Sequence, residues 1–175
     1  MRIDQEVARL YDRFGNRNPE DWARGLGIHL YERSDFHQLM GMFAVISDRP
    51  CIFLNGALRE EERRMVLAHE LGHALLHRGE AGLVDLAAFT LFSTSNRMEY
   101  EANVFAAHLL IEEAEVLRLA QEGADLPVMA HRLGVDINLL LIKLYEMWKK
   151  GFPIPAPDLP PADFLQYGRQ ERPSE

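Results

Sequence analysis

The chain has 175 residues, a length that fits one domain of ordinary size. Apolar residues make up 47% and charged residues 26%, a balance that excludes an intrinsically disordered chain and implies a buried core. Nineteen Lys and Arg against 27 Asp and Glu leave a net charge of −8, which argues against nucleic-acid binding by phosphate neutralisation, and the single cysteine, Cys51, rules out an internal disulfide.

The chain opens MRIDQEVARL, with charges throughout and no apolar core of a secretion signal, and no stretch approaches the roughly 18 uninterrupted apolar residues of a membrane span. A soluble, cytoplasmic protein is the expectation. Ile3, Val7, Leu10 and Tyr11 at helical spacing predict a helix over 3–14, closed by Gly15. Pro19-Glu20-Asp21 starts a short second helix that ends near Gly25 or Gly27. Three strand-like runs follow, Ile28–Glu32, Met40–Ile46 and Cys51–Leu54, and the turn signal Ser47-Asp48-Arg49-Pro50 joins the last two as a hairpin.

Beyond Asn55-Gly56 the pattern is helical. Residues 58–78 form a long helix, 79–96 a loop, 97–112 another long helix, and shorter helices are predicted near 113–122, 127–133 and 136–150. Six of the nine prolines fall after Gly151, which makes 151–175 a Pro-rich extended tail on a domain spanning 1–150. The predicted fold is α+β: a small antiparallel three-stranded sheet packed on a helical body. Residues 127–146 have a faint helix-turn-helix look, but Lys143, Lys149 and Lys150 are too few and too near the helix end to read DNA, so a helical hairpin completing the core is the preferred reading.

The chemistry lies in MVLAHELGHALLH, residues 65–77, which contains His69-Glu70-Leu71-Gly72-His73. On a helix, residues four apart lie on one face, so both imidazoles can reach one zinc ion, with Glu70 rotated to act as base on the attacking water. Gly72, at a cost of about 1 kcal/mol against alanine in mid-helix, marks a place where another backbone comes close. A third ligand is needed. Six residues beyond His73 stands Gly79, which excludes the metzincin arrangement. His77 would lie about 12 Å from His69 along the axis, too far to share an ion on an unbroken helix.

The second long helix, RMEYEANVFAAHLLI, supplies the better candidate. Its apolar stripe is Ala102, Phe105, Ala106, Leu109 and Leu110, and Glu99 points within roughly 50° of the stripe's centre whereas Glu101 points more than about 100° away. An inward carboxylate needs a cation or a metal. Glu99 is therefore the first choice for third ligand and Glu101 the second. Cys51, in an apolar strand, is expected to be buried and inert, and nothing in the sequence brings His108, His131 or Tyr100 to the histidine pair.

HELGHALLH, followed some two dozen residues later by EYEANVFAAHLL, resembles the ImmA/IrrE family of metallopeptidases over roughly residues 20–112. The resemblance implies a gluzincin-like zinc endopeptidase, with His69, His73 and Glu99 as ligands and Glu70 as general base. It also implies regulatory cleavage of a helix-turn-helix repressor of a prophage, mobile element or stress regulon. The expected partner is then a protein, with no membrane and no direct nucleic acid, and a groove formed by the sheet edge is where an extended substrate strand would bind. A zinc-containing anti-repressor that binds the repressor without cutting it is the alternative. One departure is visible: where the family's second motif usually ends in Met-Pro, this chain has Ile111-Glu112.

Overall fold

The computed structural model describes residues 2–78, 96–160 and 165. Within them the chain runs α1 (Ile3–Phe14), α2 (Pro19–Gly25), β1 (His29–Arg33), β2 (Gly41–Ile46), β3 (Arg49–Asn55), α3 (Glu60–Leu76), α4 (Asn96–Leu110), α5 (Glu113–Gln121), α6 (Leu126–Leu133) and α7 (Ile137–Lys149). The fold is α+β, as the periodicities indicate. The loop expected over 79–96 lies, but for Asn96, outside the described residues, as do 161–164 and 166–175 of the tail. No helix among the described residues is long and apolar enough to cross a membrane.

The sheet corrects one expectation. It is mixed, in the order β1-β3-β2, with β1 parallel to β3 and only β2 antiparallel to it. Burial explains the order: Cys51, Ile52, Phe53 and Leu54 are all buried, as a central strand covered on both faces requires, whereas β1 has only exposed and half-buried residues. The connection 34–40 therefore carries the chain past the end of β3, where the Asn55 side-chain amide donates to the carbonyls of Phe36 and Leu39, both at 3.0 Å.

The hairpin turn is tighter than the sequence suggests. Ser47 and Asp48 alone make it, with φ of 48° and 63°, the left-handed pair typical of two-residue hairpins. Arg49 and Pro50 already belong to β3. The Ile46–Arg49 pair closing this turn is a hydrogen-bonded one, so the alternation makes Val45–Pro50 a non-hydrogen-bonded pair. Pro50 thus lacks an N–H only where β2 needs none, and pairing with β1 begins one residue later, at Cys51.

Helix α3 lies at the centre. Ten consecutive residues, Met65 to Ala74, are buried because the helix is covered by β2 and β3, by α2 and by α4. Its first turn carries Glu60, Glu61 and Glu62, which complement the helix dipole, and the Glu62 carboxylate accepts the Arg59 backbone N–H at 3.1 Å. Helix α4 in turn packs on α1 and α7.

The Ile111-Glu112 departure affects a helix end. Arg17 donates to the last-turn carbonyls of His108 at 2.9 Å and Leu109 at 3.3 Å, and pairs with Glu112 at 3.2 Å. A guanidinium thus satisfies α4's terminal carbonyls.

The segment with helix-turn-helix character forms a helical hairpin, α6 and α7 joined at Gly134, with Leu139, Leu140, Ile142 and Met147 of α7 in the main core. Its lysines are occupied. Lys143 is buried, its Nζ 3.1 Å from His108 Nδ1 and 3.4 Å from Glu113. Burial pushes Lys143 down to about 8 and His108 down to about 3, so an ammonium donates to a neutral imidazole. Lys149 pairs with Glu146, and Lys150 with Asp4 and Glu113. Beyond α7, Phe152 and Ile154 pack partly buried against the core and Leu165 is buried in it.

Candidate metal centre

Helices α3 and α4 touch backbone to backbone. A Cβ on Gly72 would lie 2.8 Å from Ala102 Cα and 3.0 Å from its carbonyl oxygen, so only glycine permits this approach. The close approach expected from the sequence is therefore made by α4, one turn from its Glu99. It lets a short carboxylate side chain span the gap to α3.

Three side chains converge there. Glu99 Oε2 is 3.3 Å from His69 Nε2, Glu99 Oε1 is 3.4 Å from His73 Nε2, and the two imidazole nitrogens are 3.1 Å apart. One candidate ligand atom from each of the three lies within 4.8 Å of the others, and all three residues are buried. Two imidazoles and a carboxylate are the donor set that a zinc hydrolase site uses, leaving further positions for water and substrate. The donors present thus fit a divalent ion.

The tautomer of His69 follows from its neighbour. Its Nδ1 lies 2.8 Å from Asn103 Oδ1, in a fully buried contact. A carbonyl oxygen only accepts, so Nδ1 carries the proton and Nε2 turns its lone pair toward the point where the three side chains converge. Asn103 was not among the residues the sequence singled out. The signal was present: it sits one helical turn beyond Glu99, a polar residue on the same face as the inward carboxylate. Asn103→Leu is expected to weaken zinc binding about 10- to 100-fold, measured by competition with a chromophoric chelator, while Asn103→Asp retains an acceptor and stays near wild type. Unchanged affinity in the leucine variant would rule out this orienting role.

Glu70 sits beside the cluster, buried, under β2. Burial pushes its carboxyl up to about 7; the nearby His73 and the Phe43 backbone N–H oppose the rise, and the Glu99 charge adds to it. A carboxyl with a pKa near neutrality both takes up and releases a proton at working pH.

The other candidates face elsewhere. Glu101 pairs with Arg97 at 2.8 Å and with His77 at 3.5 Å. His77 ends α3, its backbone N–H bonded to the His73 carbonyl at 2.9 Å. The Tyr100 hydroxyl donates to Glu146 of α7 at 2.9 Å, His108 faces Lys143, and His131 is exposed. Cys51 is buried, which pushes its thiol up and leaves it a poor nucleophile.

Comparison with known proteins gives two kinds of match. The family model described as the IrrE N-terminal-like domain matches residues 23–145. An uncharacterized immunity region protein 2 of Bacillus phage phi105 is 32% identical over 141 residues, covering 81% of this chain and 88% of that protein. The radiation response metalloprotease IrrE of Deinococcus radiodurans is 34% identical over 123 residues, covering 64% of this chain. The chain spans only 36% of that second relative's length.

Proposed function

The chain belongs to the IrrE N-terminal-like family, and from that premise we propose that it is a zinc-dependent endopeptidase acting on one helix-turn-helix repressor. The observation that carries this reading is the buried convergence of His69, His73 and Glu99 with Glu70 beside them. His69, His73 and Glu99 would hold the ion. A bound zinc supplies Lewis-acid polarisation of the scissile carbonyl and makes water acidic enough to deprotonate near neutral pH. Glu70 takes the proton of the attacking water and returns it to the leaving amine. The buried surroundings keep bulk water away and strengthen every charge interaction in the site.

The sheet offers a place for the substrate chain. β2 is an edge strand, and in its non-hydrogen-bonded pairs with β3 the main-chain groups of Gly41 and Val45 and the Phe43 carbonyl face outward. An extended substrate segment adding to that edge would pass beside Glu70. The immunity-region relative supports a repressor of a mobile element as the substrate class, and the lone Cys51 suits the reducing cytoplasm.

The test is incubation of the zinc-loaded protein with the repressor encoded beside its gene, read by gel and mass spectrometry. A single cut that a chelator abolishes and zinc restores is expected, with casein cut far more slowly. Cleavage that survives chelation, or casein cut as fast as the repressor, would contradict the proposal.

A further inference from the structure

Gly41 opens β2 on the face turned toward α3. Its φ is not in the left-handed region, where five other glycines among the described residues lie, so backbone conformation does not require glycine there. Glycine weakens a strand by its conformational freedom and missing side chain, so the position calls for another reason. The space supplies one: a Cβ on Gly41 would lie 2.5 Å from Val66 Cγ1, 3.1 Å from Glu70 Oε1 and 3.2 Å from Glu70 Cγ.

We infer that Gly41 is a positioning residue for Glu70. Its missing side chain lets β2 lie directly on the α3 turn that carries the carboxylate. Phe43 shares Gly41's face of the strand, two residues on, and its backbone N–H faces the same carboxylate and favours its charged form. The carboxylate thus lies directly against the strand, within electrostatic reach of His73 and Glu99. Any side chain at position 41 pushes the strand off Val66 and loosens that contact. The inference rests on the reading of Glu70 as the base, but its structural part can be read without any catalysis.

Two variants of the full chain test it, Gly41→Ala and Gly41→Ala combined with Val66→Ala. The second removes the methyl group that the new Cβ meets at 2.5 Å. In metal-free protein, exchange of the Phe43 amide proton is expected to quicken roughly tenfold or more in Gly41→Ala and to slow again in the double variant. With zinc bound and the repressor as substrate, Gly41→Ala is expected to lower kcat on the order of 10- to 100-fold with KM little changed, and the double variant to recover most of it. Wild-type amide exchange in Gly41→Ala would overturn the inference. So would a double variant that regains thermal stability and Phe43 protection without regaining kcat, provided the wild type cuts. If the wild type does not cut at all, the proposed function falls, while the amide measurement still decides whether Gly41 sets the strand on Glu70. Should Gly41→Ala fail to fold, the double variant carries the comparison: wild-type Phe43 protection supports the inference and its loss overturns it.

Discussion

Glu70→Gln is expected to keep about one zinc per chain and to slow repressor cleavage by about 100- to 10,000-fold. That loss corresponds to about 3–5 kcal/mol of transition-state stabilisation at 1.36 kcal/mol per tenfold. Glutamine has the shape of glutamate, so the packing under β2 survives, and the neutral amide is at home in a site where burial already pushes the Glu70 carboxyl up to about 7. What is lost is the capacity to take a proton from water and return it to the departing amine. Single-turnover cleavage, beside metal analysis of the same sample, separates the two roles. A Glu70→Gln protein that holds zinc and still inactivates the repressor as the wild type does would replace proteolysis with docking as the protein's action.

The helices were legible because their apolar periodicity is strong and their ends are marked: Gly15, Pro19 and Gly134 fall at observed boundaries. Apolar strand-like runs and the turn signal after Ile46 likewise located the strands. Their pairing was harder to read, because strand order depends on which run is buried on both faces. Cys51–Leu54 holds the centre, which leaves β1 the other edge of β3, where it runs parallel. Lys143 follows the same logic. It lies one helical turn beyond Leu139, on the face buried against α4, and burial overrides the usual preference of a lysine for solvent.

In the site, the spacing of His69 and His73 and the helical angle of Glu99 were enough to single out the three side chains that the fold brings together, and Gly72 indicated the close approach behind it. Two neighbours were harder to read: one carried only a weak signal and the other none. Asn103 reads as one polar residue in an apolar helix until His69 Nδ1 is seen 2.8 Å away. Gly41 looks like a strand-opening residue, and its purpose depends on how close β2 lies to Val66 and Glu70, a tertiary distance with no local sequence signal. The choice between Glu99 and Glu101 turns on two helical positions, about 200° of rotation, and the fold sends the second to Arg97 and His77.

The largest effect expected of any substitution is loss of the metal. Removing one donor from a two-histidine, one-carboxylate set leaves two protein ligands, too few to retain zinc through purification, and leaves Glu70 without the ion whose water it serves. His73→Ala and Glu99→Ala are both expected to do this. Glu101→Ala, which removes a partner of Arg97 and His77, is expected to keep the metal. The decisive measurement is elemental analysis of gently purified protein and these three variants. The expected result is about one zinc per chain in the wild type and in Glu101→Ala, and none in His73→Ala or Glu99→Ala. A wild-type protein that holds no metal even after zinc is added back, or a His73→Ala protein that holds as much as the wild type, would contradict the metallopeptidase account.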